Sequence, residues 1–140
     1  MQPTSRSPLR WISAASLLAL AGCASAPLSF VDAAPTPKAD PTYYPVRVVA
    51  VDDRLQFGGF GKPVQLAPGP RRLVLEAAPA ANVRGTVQKT VYLKVEPCRR
   101  HLLAARRTSP LQADWSLVEM PSEPVGNCDV QEELRKAQVG

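Results

Sequence analysis

The sequence predicts a small, mainly β domain: an antiparallel β-sandwich with one disulfide and a possible short C-terminal helix. Three observations lead to this prediction. Short runs of β-branched or alternating apolar residues follow one another along the chain. Turn-forming residues separate these runs, among a total of 15 prolines and 8 glycines. The sequence contains no long amphipathic helix, so sheet packed on sheet is the architecture that buries the apolar runs.

Six strands are predicted, each from a run bounded by turn residues. Alternation assigns their faces, because successive side chains of a strand point to opposite sides of the sheet. Leu73 and Leu75 share one face of the third run, and Val91, Leu93 and Val95 share the inward face of the fourth. The runs, in chain order, are residues 46–51, 64–66, 72–77, 90–96, 99–107 and 115–120.

Two segments allow a second interpretation. Residues 99–107 have a Leu-Leu-Ala-Ala centre that also suits a helix. Residues 130–137 are polar and fit either a short helix or a frayed tail.

A short apolar segment near the N-terminus has the features of an export signal. Arg6 and Arg10 precede it, and residues 11–21 form its apolar core. This core is too short to span a bilayer, which takes about 20 apolar residues. The four residues that close it, Leu20-Ala21-Gly22-Cys23, resemble the lipobox of bacterial lipoproteins.

The lipobox resemblance implies a covalently lipidated protein. In that family a diacylglyceryl group is attached to the cysteine thiol, the preceding peptide is removed, and the new amine is acylated. Cys23 would then be held in the membrane by palmitate-type chains. Ala24, in place of Asp, implies the outer membrane with the domain facing the periplasm. Ordinary secretion stays open as an alternative, because Ala24-Ser25-Ala26 also resembles an A-x-A cleavage site.

The predicted organisation has four parts. Residues 1–22 are a signal peptide, and residues 23–45 are a lipid-anchored tether, because this proline-rich segment is poor in core-forming residues. Residues 46–128 form the β-sandwich domain, and residues 129–140 are a polar tail or short helix. Removal of the signal leaves 15 basic and 12 acidic residues, a net charge of +3. A charge of this size does not indicate a nucleic-acid partner.

The two remaining cysteines predict a disulfide. Cys98 and Cys128 are left once Cys23 is assigned to the lipid, and disulfides persist in exported proteins. The bond would close about 30 residues and add roughly 3.5 kcal/mol of stability. Two free thiols or a metal pair are the alternatives. A single histidine and the lack of C-x-x-C spacing give a zinc site little support.

A second resemblance lies within residues 46–96. Segments 48–53, 64–69 and 71–75 resemble PEGA-type surface-layer domains, in which a strand ending near Asp-Gly precedes a Leu-Pro-Gly turn and an alternating strand. The chain departs from that pattern at Asp53, where the family favours glycine. The resemblance implies a β-fold found on exported proteins, and no activity.

No group of residues has the spacing of a known catalytic or metal site. The glycine-rich segment 58–62 ends in a lysine followed by proline, whereas a phosphate-binding loop needs Ser or Thr there. His101 is the only histidine, and no nucleophile motif accompanies it. Glu76, Glu96 and Glu119 occupy outward-facing strand positions, where carboxylates are usually solvated. We therefore expect no enzyme, no metal and no cofactor apart from the covalent lipid.

Four arginines are candidate anion- or partner-binding residues: Arg99, Arg100, Arg106 and Arg107. Guanidinium groups suit the carboxylates and phosphates of an envelope. On a strand, Arg100 and Arg106 share one face while Arg99 and Arg107 share the other. A solvated surface that protects a strand edge is the alternative. Trp115 is expected in the core.

Together these features predict a non-enzymatic outer-membrane lipoprotein that presents a periplasmic β-domain for protein interaction or envelope assembly. Its expected partners are the membrane and an envelope protein. Two alternatives stay open. One is a module that binds peptidoglycan or lipid phosphates through surface arginines, and the other is a small envelope hydrolase.

Overall fold

The computed structural model describes residues 28–34, 40–81 and 83–139. The predicted signal peptide and Cys23 lie outside the described residues. The mainly β fold, the disulfide between Cys98 and Cys128 and the short C-terminal helix are confirmed. The elements are β1 (Ser29–Ala33), β2 (Tyr43–Val51), β3 (Arg54–Leu55), β4 (Val64–Leu66), β5 (Gly69–Ala77), β6 (Gln88–Val95), β7 (Arg99–Arg106), β8 (Ser116–Pro124) and α1 (Val130–Val139).

Strand β2 joins two halves of one continuous sheet. The strand order is β4-β1-β7-β2-β5-β6, with β3 on β2 and β8 on β7. The first residues of β2, Tyr43 to Pro45, pair with β7, whereas Val46 to Val51 pair with β5. Pro45 has no N–H to give to a ladder, so it suits the point where β2 changes partner. A register shift between Val48 and Ala50 then bends the strand further.

The inner faces of the two halves pack against each other in one core. Leu73 and Leu75 of β5 are fully buried, as their alternation predicts, and they join Leu103 of β7 in the same cluster. Trp115 is also in this core, 3 % exposed, and its Nε1–H donates a 2.8 Å hydrogen bond to the carbonyl of Val87. The arrangement is sandwich-like because apolar inner faces are removed from water together.

Strand β1 corrects two of the predictions. It lies inside the segment expected to be a tether, so the prediction that the folded domain begins at residue 46 is wrong. It also pairs in parallel with β7, with Phe30 opposite Arg100, so the sheet is not wholly antiparallel. The local sequence does not predict β1 because both strands that pair with it, β4 and β7, lie far away along the chain. Prolines near it in sequence therefore do not prevent strand formation.

Glu76 corrects a third expectation. The alternation of its strand predicts a solvated side chain, yet Glu76 is only 4 % exposed. Arg47 forms a 2.8 Å ion pair with its Oε1, and the amide of Gln88 donates to its Oε2 at 3.1 Å. The guanidinium of Arg47 also lies 5.3 Å from the ring centroid of Phe60, which folds back over this face. The buried carboxylate is thus paired and hydrogen-bonded, as burial of a charge requires.

The segment after Cys128 forms α1. Asp129 caps the helix, because its Oδ1 accepts a 2.9 Å hydrogen bond from the backbone N–H of Glu132. Glu132 and Glu133 lie in the first turn and Lys136 in the last, which suits the helix dipole. Cys128 lies two residues before α1, so its disulfide with Cys98 also fixes the start of the helix.

Candidate functional site

The beginning of β1 is held by the other end of the chain. The backbone N–H of Leu28 donates a 2.8 Å hydrogen bond to Oε2 of Glu133 in α1. Lys136 donates to the other carboxylate oxygen, Oε1, at 2.9 Å. Glu133 is only 1 % exposed, although it carries a charge. Its carboxylate thus ties residue 28 to a helix more than a hundred positions later.

The disulfide belongs to the same arrangement. Cys98 lies in the turn between β6 and β7, and its N–H donates a 3.1 Å hydrogen bond to Oγ of fully buried Ser29. Its sulfur is bonded to Cys128, with 5.6 Å between the two Cα atoms. Together Leu28, Ser29, Cys98, Cys128 and Glu133 form what we call the N-terminal clasp.

The electrostatics of Glu133 follow from these contacts. Burial acts to raise its pKa, but the hydrogen bonds from Leu28 and Lys136, with the positive charge of Lys136, hold the pKa below its ordinary value. The hydrogen bonds that Lys136 donates to Glu133 and Glu132, with the negative charges of both, raise the pKa of Lys136, although burial opposes this effect. Glu133 therefore stays charged at neutral pH and accepts both hydrogen bonds.

The clasp fixes Leu28, the first residue after Cys23 that the structure describes. Leu28 is five residues after Cys23 in sequence. An extended chain of five residues spans at most about 17 Å. A lipid on Cys23 would thus hold the β-domain close to the membrane surface, rather than lifting it on a long tether.

A second feature is the loop between β3 and β4, residues 56–63, which we call the Gly-rich loop. Phe57 is 97 % exposed, whereas Phe60 of the same loop is half-buried against Arg47. Gly61 adopts a φ of 73°, in the left-handed region that favours glycine. One phenylalanine therefore braces the loop while the other projects into solvent.

A groove runs beside this loop and reaches β1. Its volume is about 720 Å³, and its lining includes Phe30, Phe57, Lys62 and Val64. The strand β4 follows the loop, where a phosphate-binding loop would need a helix. The Gly-rich loop is thus a surface feature with apolar and cationic side chains.

His101 has a structural role in the described fold. It is 9 % exposed, and its Nε2 accepts a 3.1 Å hydrogen bond from the N–H of Glu96. Burial lowers its pKa, and the negative charges of Glu96 and Glu119 only partly oppose this effect. The imidazole is therefore neutral at neutral pH, and the nitrogen that would act as a base is already occupied.

The four candidate arginines are not brought together in one site. Arg107 is buried, lies 4.3 Å from the Tyr44 ring centroid, and donates to the carbonyl of Ala78 at 2.9 Å. Arg99 donates to the carbonyl oxygen of Ser122 at 2.8 Å and to its hydroxyl. Both guanidinium groups are thus engaged within the fold.

The other two arginines do share the outer face of β7, as alternation predicts. Arg100 lies 5.8 Å from the ring centroid of Phe30, and Arg106 lies 6.0 Å from that of Tyr43. Six residues separate them, which on a strand corresponds to about 20 Å. This distance is too long for one small anion to bridge, so each arginine forms a separate aromatic–cation pair.

Within the described ranges, no cluster of His, Cys, Asp or Glu residues has an arrangement that could hold a metal ion. No helix in the part of the chain that the structure describes is long and apolar enough to cross a membrane. No protein-family profile matches the chain, and no curated protein or solved structure shows significant similarity to it.

Sequence reasoning missed the two features that the structure brings forward. Phe57 had a visible signal, because a large apolar residue inside a run of glycines has little local surface to bury it. For Glu133 the sequence signal is weak: it lies three residues before Lys136, a spacing that is typical of an exposed helical ion pair. Its bond to Leu28 depends on the tertiary fold.

Proposed function

We propose that this chain is a non-enzymatic outer-membrane lipoprotein, anchored through lipid on Cys23, that presents a periplasmic β-domain for protein interaction or envelope assembly. The observation that carries the proposal is the short distance between the lipobox and the fold. The first described strand of a disulfide-stapled domain begins at Ser29, only six residues after the cysteine that the lipobox would lipidate. Disulfides of this kind persist in exported proteins, which supports the same compartment.

The contacts of His101 and the arginines support an interaction role over the two alternatives. A hydrolase that depended on histidine would need a free imidazole nitrogen, and Nε2 of His101 is hydrogen-bonded to the backbone. An arginine-based site for peptidoglycan or lipid phosphate would need converging guanidinium groups, and those of Arg99 and Arg107 are engaged internally. The PEGA-type resemblance adds an exported β-fold without activity.

Strand β6 is the surface that best suits a protein partner. It stands at one end of the strand order, and β5 is its only partner among the described strands. Tyr92 projects from it and is 81 % exposed. Edge strands offer free backbone hydrogen-bonding groups, and tyrosine is common at the centre of interfaces.

The anchor is tested by mass spectrometry of the membrane-bound protein. We expect the mature chain to begin at Cys23 and to carry the mass of diacylglyceryl and acyl groups. Cys23→Ser should abolish that mass and release the protein or leave an uncleaved precursor. Ser25→Ala, which leaves the lipobox intact, is the control. A mature chain that begins after Ala26 without lipid would establish ordinary secretion instead.

The interaction role is tested in living cells with a photo-crosslinking residue at position 92. We expect one protein partner, recovered in fixed ratio. Position 111 is the control, because Leu111 is comparably exposed at 71 % but lies in a loop. Equal, unspecific labelling from both positions would contradict a partner site on β6.

A further inference from the structure

We propose that the Gly-rich loop is a second membrane contact, in which Phe57 enters the surface of an anionic phospholipid bilayer beside the lipid anchor. The proposal rests on the lipid anchor of the proposed function and adds the orientation of the domain. Three observations carry it: the exposure of the loop, its charge, and its distance from Cys23.

The first observation is a pair of exposed apolar side chains. Phe57 is 97 % exposed and Leu55, two residues earlier, is 65 % exposed. The loop is braced by the stacking of Phe60 on Arg47, whose guanidinium is in turn paired with Glu76. Phe57 is therefore presented outward by a supported loop. Aromatic side chains presented in this way suit a membrane interface.

The second observation is the charge of the segment. Residues 54–63 contain Arg54 and Lys62, both exposed, and no acidic residue. The two aspartates just before them, Asp52 and Asp53, form ion pairs with Arg71 and Arg72. The loop and β3 before it therefore present positive charge next to exposed apolar side chains, which complements anionic headgroups.

The third observation is position. The groove beside the loop is lined by Phe30, only two residues after Leu28, where the described fold begins. The chain from Cys23 to Leu28 spans at most about 17 Å. The N-terminal clasp prevents a longer reach, because Leu28 and Ser29 are bonded to α1 and to the disulfide turn. A lipid on Cys23 would thus keep the groove and the loop within reach of the bilayer.

The test uses tryptophan fluorescence of the lipidated protein in vesicles of phosphatidylethanolamine and phosphatidylglycerol that carry brominated acyl chains. After signal removal Trp115 is the only native tryptophan, and it is buried. Phe57→Trp places a reporter in the loop. Tyr92→Trp is the matched control, because Tyr92 is also exposed but lies on β6, at the opposite end of the strand order from β4.

We expect bromine quenching and a blue-shifted emission for Phe57→Trp, with several-fold weaker quenching for Tyr92→Trp. Adding Lys62→Glu to Phe57→Trp should reduce the quenching, because it reverses a charge that faces the headgroups. Equal quenching at both positions, or none at position 57, overturns the proposal. A protein-sized adduct from a photo-crosslinker at position 57, with no quenching there, also overturns it and assigns the loop to a protein.

Mass spectrometry of the same samples separates this inference from the proposed function. A chain that carries lipid but shows no quenching at position 57 refutes the loop contact and leaves the anchor intact. A chain that carries no lipid refutes the anchor, and the loop contact with it.

Discussion

Replacement of Glu133 by alanine tests whether the N-terminal clasp stabilises the fold. The change removes the acceptor of the Leu28 N–H and leaves Lys136 without its closest carboxylate. Hydrogen bonds to charged groups contribute about 1.5–3 kcal/mol each, and part of that gain is offset by the cost of burying the carboxylate. We therefore expect the free energy of unfolding to fall by about 2 kcal/mol. For a domain of this size the melting temperature should fall by about 8 °C.

The assay is urea unfolding of the purified mature protein, followed by circular dichroism, with the disulfide intact. Glu132→Ala is the matched control. Glu132 neighbours Glu133 and also pairs with Lys136, at 3.3 Å, but it is exposed, and the Leu28 N–H donates to Glu133 instead. Exposed helical pairs contribute only about 0.3–0.5 kcal/mol. If the two variants lose the same stability, the clasp does not stabilise the fold as argued.

The pH dependence gives the same prediction a second readout. The pKa of Glu133 is depressed in the folded state, so its contribution is fully present above the unfolded-state pKa, about 4.3. The contribution is lost as the pH falls through the lower folded-state pKa. Glu133→Gln should therefore lose part of this acid dependence while it still accepts the Leu28 N–H. An unchanged acid unfolding profile would contradict the assignment of charge to this buried carboxylate.

Three further predictions concern other parts of the fold. Replacing both Cys98 and Cys128 by alanine should lower the free energy of unfolding, measured in urea, by about 3.5 kcal/mol according to the chain-entropy model. A loss below about 1 kcal/mol would show that the bond does little to constrain the unfolded chain. The pKa of His101 is lowered in the folded state, so its neutral form contributes stability above the unfolded-state pKa of about 6.5, and that stability is lost as the pH falls through the folded-state pKa. His101→Gln should therefore make the free energy of unfolding less dependent on pH between about pH 5 and 7, roughly the range in which histidine titrates. An unchanged pH dependence would refute this. Phe57→Ser should change stability by less than about 0.5 kcal/mol, whereas Phe60→Ser should cost at least about 1 kcal/mol, and equal losses in thermal unfolding would contradict the different roles of the two rings.

Local pattern sufficed for much of the sheet. The alternation in β5 and β6 predicts which side chains are buried. In a strand with one solvent-exposed and one buried face, apolar side chains recur at every second residue. Leu73, Leu75, Leu93 and Val95 are buried as that rule requires. The disulfide was also predictable, since only two cysteines remained after the lipobox.

Pattern failed where the partner of a residue is distant in sequence. Strand β1 is short and lies among prolines, so its local preference for a strand is weak. Its stability comes from hydrogen bonds to β4 and β7, which begin 35 and 70 residues after Ser29. The burial of Glu133 is unpredictable for the same reason. An acidic residue on a polar helix is normally solvated, and only the folded chain brings Leu28 to it.

The sequence by itself determined the strand faces of β5 and β6, the disulfide pair and the candidate lipid site at Cys23. Each of these follows from residues that are close together or few in number. The tertiary structure alone decided that Ser29–Ala33 form a strand of the sheet, that two of the arginines are engaged internally, and that Phe57 lines a groove that reaches this strand. The physical reason is that these properties depend on contacts between distant segments, and neither hydrophobic period nor local propensity encodes such contacts.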